Sequence, residues 1–270
     1  MKINITRDGH VHSPFCPHGC DDSFDMYIEE AIKKGIKEIT FAEHMPLPLE
    51  KDPSPRNNSA MKEEDVEEYI RTIKECKKKY NDKIKINIGF EVDYIEGKEK
   101  EIQKLLDKYG EDIDDAILSV HVLKYKNELY AIGSGSENLK ELVDKLGGMD
   151  KVYNLYFETM LKSIQCNLGE YKPKRIGHPT LVRKYRMDLP NEIYNFELVE
   201  KVVKEIKAKE YEIDVNTSGI RKEKCKELYP SGIFMELALE SDVKMVLGSD
   251  AHSHKEVGLY FNDIEEVLEE

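Results

Sequence analysis

The chain has 270 residues, 40% of them apolar and 35% charged, with a net charge of −13. That suffices for one globular unit with a sizeable core, and no stretch approaches the roughly 18 consecutive apolar residues of a membrane-spanning helix. The acidic balance repels polyanions unless a local cluster overrides it, so neither a membrane nor nucleic acid is an expected partner.

In chain order, short β-branched runs alternate with helix-patterned segments. "KINITRDG" is extended, and "SFDMYIEEAIKKG" has helical spacing between a cap at Ser23 and a stop at Gly35. Then come the strand "KEITFAEH", the helix "KEEDVEEYIRTIKECKKKY", the strand "KIKINIGFEVD", the helix "KEKEIQKLLDKYG" and the strand "DDAILSVHVL". Two helices from about 137 to 168, broken at Gly147-Gly148, precede the strand "KRIGHP" and the helix "PNEIYNFELVEKVVKEIKAK". The strands "EYEIDVNTS" and "VKMVLGSDAH", separated by the helical "SGIFMELALES", bring the count to seven. Strands alternating with helices imply parallel crossovers, hence an α/β sheet, open or closed into a barrel.

No Gly/Ser or Pro-rich linker interrupts this order, so residues 1–270 read as a single domain. The five scattered cysteines, at 16, 20, 76, 166 and 225, argue against a disulfide framework. With no secretory pattern in "MKINITRDGH", the expected location is cytoplasmic. The basic run 74–85 reads as a solvated helix face. The stretch 46–60, "PLPLEKDPSPRNNSA", is too rich in proline and asparagine for helix or central strand; a loop this long suggests a lid over a site or a surface excursion.

The polar residues fall in a pattern. His10 and His12 follow strand one, Glu43 and His44 end strand two, Glu91 ends strand three, and His121 ends strand four. His178 ends strand five, while Asp250 and His252 end strand seven. In a parallel barrel these ends share one face, where such folds hold their chemistry. The i, i+2 spacing of "HVH" and "SDAH" points two donors to one side of a strand, and Glu91 adds a carboxylate able to bridge two cations. With His18, the candidates exceed what one zinc-like ion takes, so a multinuclear site is expected. His254 reads as a bystander.

The ordered set "DGHVHS", His18, "FAEH", "GFEVDY", "SVH", "IGHP" and "GSDAH" resembles the polymerase and histidinol phosphatase (PHP) family of metallohydrolases over nearly the whole chain. "DVNTSGIRK" and "FAEHMPLP" resemble its histidinol-phosphate phosphatase branch. The resemblance implies a distorted, TIM-like (β/α)7 barrel with its active site at the C-terminal strand ends, and three divalent ions of zinc, iron or manganese. One ion would take His10, His12, Glu91 and Asp250; a second would share Glu91 and add His121 and His178; a third would take His18, His44 and His252. Cys16 and Cys20 lie outside that pattern and read as loop residues.

The implied reaction is hydrolysis of a small phosphomonoester, L-histidinol phosphate in that branch, by in-line attack of a metal-bridging hydroxide. Three dications less two carboxylates leave roughly +4 at such a centre, enough to hold phosphate on an acidic protein. Arg183 and Arg221 are expected to bind the phosphate, with Ser218 and Asn216 assisting. Glu43 is expected beside the ligands or at the substrate amine, and Asp250 or His252 as proton donor to the leaving alkoxide. Rival readings are a PHP nucleotide phosphatase or 3′ nuclease, an amidohydrolase, and a silent metal-binding scaffold. "AILSVH" lacks the lysine that an amidohydrolase needs, and the full ligand set argues against a scaffold.

Overall fold

The structure, a computed structural model, describes residues 3–190 and 195–264. The chain alternates β1 (Arg7–Val11), α1 (Phe24–Lys33), β2 (Glu38–His44), α2 (Val66–Lys79), β3 (Lys85–Asp93), α3 (Glu99–Tyr109) and β4 (Asp115–Ser119). A hairpin of β5 (Val122–Tyr125) and β6 (Glu128–Ala131) follows, then the helices α4 (Ser136–Leu146) and α5 (Met149–Gln165). The last part runs β7 (Arg175–Ile176), α6 (Phe196–Ala208), β8 (Glu212–Asn216), the single turn α7 (Ser218–Arg221), α8 (Ile233–Glu240) and β9 (Lys244–Gly248).

Local sequence explains most boundaries. The Ser23 hydroxyl accepts from Met26 N and opens α1, while Gly147 in the left-handed region closes α4. In α2 the residues Val66, Tyr69, Ile70, Ile73 and Cys76 recur at helical spacing and form the buried stripe. Strand β3 is buried along its length except at Lys85, because helices cover one side of the sheet and the barrel interior the other.

Strands β1, β2, β3, β4, β7, β8 and β9 pair in parallel in that order. Just beyond β9, Asp250 N donates to His10 O at 2.7 Å and His12 N to Ala251 O at 2.9 Å, nearly closing the barrel. This is the seven-unit (β/α) architecture expected. Its floor is polar: Arg175, 1% exposed, donates to Asp115 and to Gly9 O, both at 2.8 Å, and Asp115 also accepts from Thr40 and Arg7.

Several boundaries shift, among them the first strand, which the sequence sets at 2–9 and which runs Arg7–Val11. The fourth strand, expected to run to Leu123, stops at Ser119, and residues 122–131 form an antiparallel hairpin that nothing in the alternation pattern announced. β7 has only two residues, since His178 turns out of the strand with φ of 25°. The helix expected from Pro190 begins at Phe196, capped by Asn195; 191–194 of that expectation lie outside the described residues, as does Lys2 of the first strand.

Candidate metal centre

All nine expected ligands converge at the C-terminal mouth of the barrel. The centre is Glu91 at the end of β3, 2% exposed. Its Oε2 faces His10 Nε2 at 3.4 Å, His12 Nε2 at 3.7 Å and His44 Nδ1 at 3.1 Å. Its Oε1 faces His178 Nε2 at 2.7 Å and His121 Nε2 at 3.4 Å. Asp250 Oδ1 lies 3.2 Å from His12 Nε2. His18 Nε2 and His252 Nε2 meet at 3.1 Å on the outer side, with His44 between them and Glu91. The carboxylate of Glu91 thus stands between two groups of imidazoles, as a bridging ligand must.

The far side of five rings is held by groups that can only accept a hydrogen bond. His10 Nδ1 donates to Asp214 at 2.8 Å, His12 Nδ1 to Glu43 at 3.2 Å and His121 Nδ1 to Asp93 at 2.7 Å. His18 Nδ1 donates to Asn58 O at 2.8 Å and His252 Nδ1 to Asp250 O at 3.0 Å. A neutral imidazole with its proton on Nδ1 presents a lone pair at Nε2, the form that ligates metal. The His18–His252 pair therefore sets two lone pairs against each other, and His10 Nε2 and His12 Nε2 are buried without a hydrogen-bond partner. Such an arrangement is repulsive until a cation occupies it, so the residues present fit a metal cluster.

The electrostatics agree. Burial pushes the carboxyls of Glu91 and Asp250 up, but the surrounding imidazoles outweigh it and hold both well below the usual carboxylate range. Burial also opposes charge on His12 and His121, yet Asp250 and Glu43 lift the first to about 9, and Asp93 and Glu91 lift the second to about 9. Burial and the neighbouring charge of His12 keep His44 and His252 well below the ordinary imidazole value, hence neutral and available as donors. The cluster is a sink for positive charge.

Two backbone features carry ligands. His178 and Asp250 both have positive φ, 25° and 50°, unusual for side chains other than glycine and typical of functional sites. Gly248 lies against the ligands: a Cβ there would sit 2.1 Å from Asp214 Oδ1 and 2.6 Å from His10 Cβ.

The other expected site residues are placed differently. Glu43 is fully enclosed, accepting from Ser13 N at 2.8 Å and His44 N at 3.0 Å besides His12; it orients ligands and is out of reach of a substrate amine. Ser218 Oγ donates to Asp250 Oδ2 at 2.9 Å, and Asn216 Nδ2 to Asp214 at 3.0 Å. Neither arginine lines the cavity. Arg183 grips Glu227 through Nε and Nη2 at 2.8 and 2.9 Å. Arg221 pairs with Glu256 at 3.0 Å and donates to the carbonyls of Ser249 and Asp250 at 2.8 and 2.7 Å. In this geometry each guanidinium is held by a carboxylate partner, Arg183 sharing Glu227 with Arg186. His254 pairs with Asp22 at 2.6 Å, away from the cluster.

A cavity of about 510 Å³ opens over the cluster, within the range of small-molecule sites. The 46–60 loop forms one wall, with Ser54, Arg56, Asn58 and Ser59, and the segment after β6 forms another. Asp52 ties that loop by accepting from Ser54 N and Ser59 N, each at 2.7 Å. Lys184 and Lys222 also line the cavity. Sequence reading missed Arg56, Lys184, Lys222 and the acceptors Asp93 and Asp214. Only Asp93 carried a signal, the i+2 spacing from Glu91 that puts both carboxylates on one side of β3. Cys16, read as a plain loop residue, is buried with its Sγ close to donor atoms of His12, His44 and His252.

Fold and site together define a barrel protein that binds divalent metal at the C-terminal ends of its strands. A family model of the PHP domain matches residues 8–218, and the chain belongs to that family. It is 42% identical to a histidinol-phosphatase of Bacillus subtilis (strain 168), over 93% of this chain and 95% of that protein. A crystal structure from Listeria monocytogenes, provisionally assigned as a histidinol phosphatase, superposes with a TM-score of 0.90 at 32% identity, covering 95% of this chain and 99% of the other. A Lactococcus lactis histidinol phosphate phosphatase, solved with zinc, L-histidinol and phosphate, shares the fold with a TM-score of 0.73 at 20% identity, over 97% of this chain and 92% of that one.

Proposed function

We propose that this chain is a metal-dependent phosphomonoesterase that hydrolyses L-histidinol phosphate to L-histidinol and phosphate. The observation that carries the chemistry is Glu91, its two oxygens turned to two groups of imidazoles beneath a cavity of small-molecule size. The substrate rests on the 42% identity with a histidinol-phosphatase along almost the full length of both chains.

In this reading three divalent ions are held: one by His10, His12, Glu91 and Asp250, one by Glu91, His121 and His178, and one by His18, His44 and His252. Zinc, iron and manganese all suit such a donor set. Bound ions supply Lewis acidity toward a nucleophilic water and toward the phosphoryl oxygens. The chain's own part is positioning: Asp214, Glu43 and Asp93 fix the tautomers of His10, His12 and His121. Arg221 and Glu256 brace the turn carrying Asp250 and His252, since Glu256 also accepts from His252 N at 2.9 Å. Asp250 stays ionised and His252 neutral, so both serve better as ligands than as the proton donor. Residues 1–270 form one domain in this reading, because the segment just after β9, beyond the matched region, carries Asp250 and closes the barrel onto β1.

The test is phosphate release from L-histidinol phosphate beside a nucleoside monophosphate and an aryl phosphate, with and without chelator. A kcat/KM preference for histidinol phosphate that chelation abolishes supports the reading; equal rates on all three remove the substrate assignment. Glu91→Ala is expected to lose turnover together with bound metal, and a variant retaining both would overturn its bridging role.

A further inference from the structure

A buried cysteine is ordinarily a small apolar filler, and Cys76 and Cys225 fit that description, since both belong to the hydrophobic core. Cys16 does not. It is only 7% exposed yet stands outside that core cluster, among polar groups. Its Sγ and one donor atom each of His12, His44 and His252 all lie within 4.8 Å of one another. Sulfur and imidazole donors gathered this tightly match the mixed sets that hold tetrahedral zinc.

The loop is wound to put the thiol there. Cys16 N donates to Ser13 O at 3.0 Å and Gly19 N to Cys16 O at 3.1 Å, so a tight turn flanks the residue on each side. A Cβ on Gly19 would lie 3.1 Å from Cys16 Cβ and 3.6 Å from His252 O, so the bare glycine lets the cysteine and the His252 backbone close on each other. Independently of the sulfur, the same place is marked for a cation. His18 and His252 commit Nδ1 to carbonyls and oppose their Nε2 lone pairs at 3.1 Å, while His12 Nε2 is buried with no hydrogen-bond partner. Cys20 differs, because its Sγ donates to His252 O at 3.1 Å. We infer that Cys16 is a thiolate ligand of the outer ion, beside His44 and His252, and gives that position a preference for zinc over manganese. The inference rests on the three-ion reading of the site. Burial and the Glu43 carboxylate keep the thiol protonated in the metal-free chain, so the S–H bond breaks as the sulfur–metal bond forms and the proton leaves to water. Thiolate is a soft donor that suits zinc, whereas manganese favours oxygen, so one sulfur discriminates between ions that imidazoles accept alike.

The experiment is the absorption spectrum of the full chain loaded with cobalt(II) in place of zinc, which needs no turnover. A thiolate-to-cobalt charge-transfer band in the near ultraviolet is expected in the parent and in Cys20→Ser, and its loss is expected in Cys16→Ser. Competition between zinc and manganese, read as metal content, should show the zinc preference of one ion reduced roughly 10-fold or more in Cys16→Ser, at least what loss of a group that merely orients a ligand costs. No band in the cobalt-loaded parent overturns the inference whether or not any variant folds. A band that survives Cys16→Ser or vanishes in Cys20→Ser overturns it too, as does an unchanged zinc preference. Phosphate release is scored apart. Hydrolysis of histidinol phosphate without the band removes Cys16 from the ligands and leaves the phosphatase reading, whereas the band without hydrolysis removes the substrate and leaves the ligand.

Discussion

At the scale of single residues, the site is governed by which atom of each side chain is already engaged. In the proposed site His10 would ligate through Nε2, because its Nδ1 is hydrogen-bonded to Asp214, so Asp214→Asn should let the ring adopt the wrong tautomer. A loss of metal affinity of about 10–100-fold is expected, read by competition with a chromophoric chelator.

At the scale of elements, six of the seven barrel strands, all but β8, carry an expected ligand at or just beyond their C-terminal ends, and close approach between strands brings these side chains together. Gly177, in β7's exit, has no room for a side chain: a Cβ would lie 2.0 Å from Ser119 Oγ and 2.8 Å from Ile117 Cγ2. Ser119 in turn donates to Glu91 Oε1 at 2.6 Å. Gly177→Ala should push β4 away from β7, costing about 1–3 kcal/mol in chemical denaturation and lowering metal content along with it. Full stability with full metal loading would show that the strand gap can widen freely. The 46–60 loop acts at this scale too. It is a wall tied at Asp52, and through Asn58 O it sets the tautomer of His18.

For the whole molecule, the metal centre and barrel closure are one problem. β1 and the segment after β9 are joined by two backbone hydrogen bonds, and across that seam His12 faces Asp250. Ions seated there would cross-link the first and last strands. Stripping metal should therefore lower Tm: binding at 1,000 times Kd contributes about 4 kcal/mol, on the order of 10 °C for a chain of this size. Scanning calorimetry with and without chelator measures this, and a Tm indifferent to metal would disconnect the site from closure.

Much of this was legible before any coordinates. The alternation of strands and helices and the seven-fold count follow from local periodicity, and the gathering of donors on one face follows from their places at strand ends, both short-range properties of the chain. The end of β4 at Ser119 was not legible, because "SVHVL" is β-prone throughout and only the exit of His121 from the barrel ends the strand there. The fate of Arg183 and Arg221 was equally hidden. Their partners Glu227 and Glu256 lie 44 and 35 residues away, and a guanidinium free for phosphate cannot be told from a paired one until the chain is folded. Sequence records which charges exist; which of them remain uncancelled is a property of packing.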